Sequence, residues 1–150
     1  MERKLARLGK RLFAYMLDII PIGFIFYGIF YAFFGFDETW HNYIADKQDL
    51  DAKVQFLRER SMIRDVSFFV FLLYGTFMEC SKFQGTFGKY LMKIRITEYE
   101  GNRISFMQSV KRNLFKFVSM LPLGLGFIWA AFDKDRRTWH DMIAKTIVQE

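Results

Sequence analysis

One stretch constrains this chain more than any other. Leu12 to Phe36 is 25 residues long, apolar along almost its whole length, and carries one charge, Asp18. A helix of that length is roughly 37 Å long, enough to cross a hydrocarbon core of about 30 Å with some tilt. Arg11 stands at its mouth and Asp18 almost two turns further in, so both side chains lie on nearly one face. A charge inside a span costs about 2.5–3.5 kcal/mol on insertion scales and faces protein or a water-filled cavity. Asp18 therefore reads as the buried polar centre of a small membrane protein.

The rest of the chain supports that reading. Of its 150 residues 52% are hydrophobic, and the charges are gathered into blocks between apolar runs. A soluble domain scatters its charges more evenly. The length suits one domain, 1–150. Cys80 is the single cysteine, so no intrachain disulfide forms, and it reads as a packing residue. The basic start resembles a secretory signal, but the apolar region is too long and lacks a small-residue cleavage site, which favours a retained anchor.

Charge gives the topology. Residues 1–11 hold Arg3, Lys4, Arg7, Lys10 and Arg11 against Glu2, which keeps the N-terminus in the cytoplasm. Segment 37–65, with seven acidic residues against five basic, is expected outside. Leu50, Val54, Leu57 and Met62 give it an apolar stripe at helical spacing, read as a surface helix that feeds the next span. The second membrane segment, 66–80, is short for a span, with Arg64 and Lys82 placed to snorkel and Glu79 in its last turn. Glu79 reads either as interfacial or as facing the same centre as Asp18. Loop 81–113 is basic again and is placed in the cytoplasm.

The cytoplasmic loop opens with Gly85-Thr86-Phe87-Gly88-Lys89, whose spacing is not that of a phosphate-binding loop. Lys93 to Thr97 alternates polar and apolar as a strand does, Gly101-Asn102 is a turn, and 103–106 is a second, shorter strand. Ser105 can cap the helix that follows. The third membrane segment, 114–132, is broken by Pro122, Gly124 and Gly126 and is flanked by basic residues on both sides. It reads either as a third span or as a re-entrant hairpin with both ends in the cytoplasm, and the flanks favour the hairpin. In the tail, 133–150, a short helix from Trp139 precedes Thr146 to Val148, which can pair with the strand at 94–97. The expected fold is thus an α-helical integral membrane protein: two transmembrane helices, a re-entrant or third membrane hairpin, and a small cytoplasmic β element.

Taken in order, these pieces resemble the RDD family of bacterial membrane proteins, named for one arginine and two aspartates. Arg11-Leu-Phe-Ala-Tyr-Met-Leu-Asp18 is similar to its opening motif, and Gly85-Thr86-Phe87-Gly88-Lys89 to its Gly-Gln-Thr-x-Gly-Lys motif, although here Gln84 precedes the glycine. Ile94-Arg95-Ile96 with Gly101 looks like its strand and turn. Arg112-Asn113 matches its Arg-Asn pair, and Trp139-His140-Asp141 with Ala144 and Thr146 looks like its closing motif. The resemblance implies that Arg11 is the family arginine and that Asp18 and Asp141 are its aspartates. It also implies a bacterial cytoplasmic-membrane protein, some of whose relatives look like monovalent cation/proton antiporters.

Two functions follow. In the first, Asp18 and Asp141 form an ion site that exchanges Na⁺ for H⁺, with Arg11 or Arg112 as a movable counter-ion; so small a chain would build the pathway as a homo-oligomer or with a membrane partner. In the second, Arg11, Asp18, Arg112 and Asp141, beside Asn113 and His140, are a buried clamp in a protein that transports nothing. Enzymatic chemistry is not expected. His41 and His140, the two histidines, fall on opposite sides of the membrane in this topology, and no nucleophile–base pair or metal cluster is apparent. No cofactor is expected, and the basic surface suits membrane lipids rather than nucleic acid.

Overall fold

The computed structural model describes residues 4–120 and 125–150. Its elements are α1 (Leu8–Phe33), α2 (Phe36–Ala45), α3 (Leu50–Cys80), α4 (Phe87–Leu91), β1 (Arg95–Glu98), α5 (Phe106–Met120), α6 (Leu125–Ile128) with a 3-10 turn at Trp129–Ala131, α7 (Trp139–Ile143) and β2 (Thr146–Gln149). Two helices, α1 and α3, are long and apolar enough to cross a membrane, and only 11% and 17% of their most apolar windows are buried. A core helix of a soluble protein hides that surface. These two helices leave it bare.

The elements fall into two compact units, Met1–Asp18 with Leu72–Glu150, and Ile19–Phe71. The second unit is held by aromatic side chains. Phe30, Phe36, Phe56 and Ile63 are its core, with Phe26 and Tyr43 against them. Tyr43 stacks on Phe56 with centroids 4.4 Å apart, and Gln55 donates to the Thr39 hydroxyl at 3.2 Å. Gly35, at φ 73°, turns the chain from α1 into α2. The first apolar run therefore ends as helix at Phe33, and Phe36 opens the next element. Sequence reading also divided α3 into a surface helix and a span of 66–80. It is one helix of 31 residues, roughly 46 Å long, because nothing between Met62 and Val66 breaks it. Leu50, Val54, Leu57 and Met62 are exposed; Phe56 and Ile63 form the packed face instead.

The first unit is built on a small sheet. β1 and β2 pair as expected; the pairing is antiparallel, with Ile96 opposite Val148. The N-terminal segment adds to the other edge of β2: Ala6 N donates to Val148 O at 3.0 Å, and Glu150 N to Lys4 O at 2.8 Å. Ala6, Ala14, Ile94, Ile96, Ile104 and Val148 form the apolar core here, and Cys80 packs against it. The expected second strand at 103–106 is only a bridge from Arg103 to Thr97. Ser105 ends it by capping α5: its hydroxyl accepts from Gln108 N at 3.2 Å, while Gln108 Oε1 accepts from Ser105 N at 2.8 Å.

Helix α5 is inverted relative to a soluble amphipathic helix. Ser109, Arg112, Asn113 and Ser119 are buried, whereas Met107, Leu114, Phe117 and Val118 are exposed. Polar groups inside and apolar groups outside suit a helix whose outer solvent is lipid. After it the chain comes back: a side chain on Gly126 of α6 would overlap Ser119. Pro122 and Gly124, on which the expected break rests, lie outside the described residues.

A buried charge network as candidate functional site

Five elements of the first unit point ionised side chains at one another. The edge pairing of residues 4–6 with β2 starts α1 beside the tail, and Arg11, in the second turn of α1, reaches it. Arg11 Nη1 donates to Asp141 Oδ2 at 3.1 Å and Nη2 to Val148 O at 3.4 Å. From α5, Arg112 Nη1 donates to Asp141 Oδ1 and, at 2.8 Å, to Thr146 Oγ1. Arg112 Nε lies 3.3 Å from Oε2 of Glu79, in the last turn of α3. Glu79 is fully buried, and it also receives Lys89 Nζ of α4 at 2.5 Å, Lys116 Nζ at 3.2 Å and Asn113 Nδ2 at 3.1 Å. Arg112 thus joins two carboxylates into one network. Among the described residues, four cations (Arg11, Lys89, Arg112, Lys116) face two anions (Glu79, Asp141), which leaves a net charge of +2.

Asp18 is not in this network. Sequence reading grouped it with Arg11, Arg112 and Asp141, but its Oδ1 accepts from Gly88 N at 2.8 Å and from the Tyr74 hydroxyl at 3.2 Å. The same hydroxyl accepts from Phe87 N at 2.7 Å. Asp18 therefore satisfies the free amides at the start of α4, one directly and one through Tyr74. Gly88 makes the approach possible, since a Cβ there would run into the Ala14 carbonyl oxygen. The glycine motif accordingly docks helix on helix: Gly88 meets α1, Gly85 sits against the Lys89 side chain, Thr86 precedes α4, and Lys89 reaches Glu79.

The tail fixes its own two motif residues. Asp141 Oδ2 accepts from Thr138 N at 3.0 Å, closing a capping box on α7. Burial pushes the Asp141 carboxyl up, but Arg112, Arg11 and the Thr138 amide outweigh it, and the group lies below the ordinary carboxylate range. Burial pushes His140 down to about 3, so the ring is neutral at pH 7. Both its nitrogens are engaged, Nδ1 with Ser119 Oγ at 3.1 Å and Nε2 with Thr138 Oγ1 at 2.9 Å. His140 is thus a packed, satisfied residue that ties α7 to α5. Before α7, Asp133 takes Arg137 in a two-pronged pair at 2.7 and 2.9 Å. Arg137 also donates to the Tyr99 hydroxyl at 2.7 Å. That pairing holds the Asp133 carboxyl down at about 2. Among the described residues, no group of His, Cys, Asp and Glu could hold a metal ion.

The family model described as the RDD family matches residues 5–145. The chain belongs to the RDD family. With its two long, bare apolar helices, this RDD chain is membrane-associated. It is also similar to a Bacillus subtilis (strain 168) protein named "Uncharacterized protein YxaI", 34% identical over 77 residues, or 51% of this chain. The chain spans about half the length of that relative. No solved structure matches.

Arg11 and Asp141, which the resemblance takes as the family arginine and one of its aspartates, form an ion pair, and Asp18, taken as the other, serves α4. Sequence reasoning left Glu79 undecided, gave Lys116 and Thr146 no place in the site, and missed Tyr74. One signal was available: Ser105, Ser109, Arg112, Asn113, Lys116 and Ser119 repeat at helical spacing, which marks a polar face on a helix that becomes apolar. A polar face in lipid requires carboxylate partners, and Glu79 ends the preceding apolar helix.

Proposed function

We propose that this RDD protein is a multi-pass protein of the bacterial cytoplasmic membrane whose buried Arg/Asp/Glu network is a structural clamp, not an ion pathway. The carrying observation is the saturation of the carboxylates. Glu79 has three cationic partners, Asp141 has two, and Asp18 accepts two hydrogen bonds from its own scaffold. A cation entering the network would meet a net positive charge and would have to displace an arginine or lysine. Exchange of Na⁺ or K⁺ for H⁺ through Asp18 and Asp141 is further disfavoured because the two carboxylates share no partner.

The topology proposed with this function has both chain ends and the loop 81–113 in the cytoplasm. Residues 4–6, β1 and β2 share hydrogen bonds and so lie on one side of the membrane. With α1 and α3 spanning, the third apolar run must then return to the side it left. The contacts of Gly126 and His140 with Ser119 support such a re-entrant hairpin.

The test uses purified protein in vesicles carrying a pH-sensitive dye. Proton flux on addition of Na⁺ or K⁺ is expected to match that of empty vesicles, while Asp141→Asn lowers the melting temperature. Cation-driven proton flux in the parent that Asp18→Asn abolishes, in a variant of unchanged stability, would establish exchange and overturn the clamp.

A further inference from the structure

A second cationic site lies outside the network and faces outward. Lys82, just past the end of α3, and Lys93 and Arg95, around the start of β1, line a cavity of about 620 Å³ together with Phe83, Tyr90 and Leu91. All three cations are exposed, and among the described residues no carboxylate lines the cavity. Among the described residues, none of the three has an ion-pair partner, in contrast to Lys89, which turns inward to Glu79. The other wall is apolar and equally bare: Phe83, Tyr90 and Leu91 are each more than half exposed, and Phe83 meets Tyr90 edge-on at 5.8 Å. Three exposed cations against an exposed aromatic edge, the first of them two residues beyond a spanning helix, form a boundary between headgroup and hydrocarbon.

We infer that this cavity binds the headgroup of an anionic phospholipid. The phosphate is held by Lys82, Lys93 and Arg95, and the top of the acyl chain lies along Phe83, Tyr90 and Leu91. The inference rests on the membrane reading above. The apolar wall favours a lipid over free phosphate, which would use only the cationic half. Each cation near an anionic headgroup strengthens binding roughly fivefold, so the three together give on the order of a hundredfold.

The experiment titrates phosphatidylglycerol and phosphatidylcholine onto detergent-purified full-length protein and counts retained lipid by native mass spectrometry. The parent is expected to retain one phosphatidylglycerol in preference to phosphatidylcholine. Lys93→Gln should weaken this about fivefold, and Lys82→Gln/Lys93→Gln/Arg95→Gln on the order of a hundredfold. Glycerol 3-phosphate at the concentration of the lipid should not displace it. Equal retention by parent and triple variant would overturn the inference, as would displacement by glycerol 3-phosphate. Resistance of the parent to extraction from vesicles by alkaline carbonate is measured in parallel. Extraction overturns the membrane reading itself, whereas resistance with no lipid preference overturns only the headgroup site.

Discussion

Replacing Glu79 with glutamine is the most informative single perturbation of the clamp. The side chain keeps its shape, one oxygen and its place at the end of α3, but the charge that faces Lys89, Arg112 and Lys116 is gone. The network then holds four cations and one carboxylate, and its net charge rises from +2 to +3. The amide also presents hydrogens where Asn113 Nδ2 donates now, at 3.1 Å. Breaking a buried pair from one side costs about 3–5 kcal/mol, because the remaining charge is left uncompensated. For a chain of this size that corresponds to a fall of roughly 10 °C in melting temperature. Thermal unfolding in detergent, followed by loss of the monodisperse peak, measures it. A second substitution separates charge from packing. Lys116→Met in the Glu79→Gln background removes one of the stranded cations and should recover at least about 1 kcal/mol, as neighbours in one network do. A Glu79→Gln protein within about 1 kcal/mol of the parent would refute the reasoning, since the carboxylate would then not be compensating the cations around it.

Other expectations follow from neighbouring residues. Gly88→Ala should abolish monodisperse protein, because its Cβ meets the Ala14 carbonyl, whereas Gly28→Ala, with nothing within 4 Å, should be neutral or stabilising by up to about 1 kcal/mol. Asp18→Ala leaves the Gly88 amide and the Tyr74 hydroxyl without their acceptor and should cost about 1–3 kcal/mol; exchanging the charges of Asp18 and Arg112 should restore nothing, since each has other partners. His140 gives a pH signature. Its folded pKa, about 3, lies below the unfolded value of about 6.5, so its contribution is whole above pH 6.5 and is lost as pH falls toward 3. Between pH 6.5 and 5 that amounts to about 2 kcal/mol, and His140→Gln should flatten the pH dependence of stability over that range by a similar amount.

Much of the architecture was legible because it rests on local chemistry. The run from Leu12 shows by its length a helix long enough to span, the alternation at Lys93–Thr97 shows the strand, which runs at Arg95–Glu98, and the pairing with Thr146–Val148 is in keeping with both being rich in β-branched residues. Ser105 marked the start of α5 for the same reason. The charge network was legible only in its membership. Arg11 and Asp18 do share a helix face, which invited one common site, yet their partners are set by how α4 docks on α1 at Gly88. That docking is a tertiary event with no local signature. Glu79 stayed ambiguous because a carboxylate near the end of an apolar helix is equally at home in headgroups; the three cations that bury it come from α4 and α5, up to 37 residues away. The continuity of α3 was hidden by composition, since the change from polar to apolar near Val66 reads as a boundary between a surface helix and a span.

The central claim is that Arg11, Glu79, Arg112 and Asp141 meet on a single membrane face. Single cysteines at Gln48, Asn102, Lys134 and Gln149, in a Cys80→Ser background, test it directly when intact cells are treated with an impermeant maleimide. Gln48 alone should label, with the other three labelling only after the cells are opened. Labelling of Lys134 or Gln149 in intact cells that leaves Asn102 protected would place Asp141 across the membrane from Glu79 and contradict the clamp.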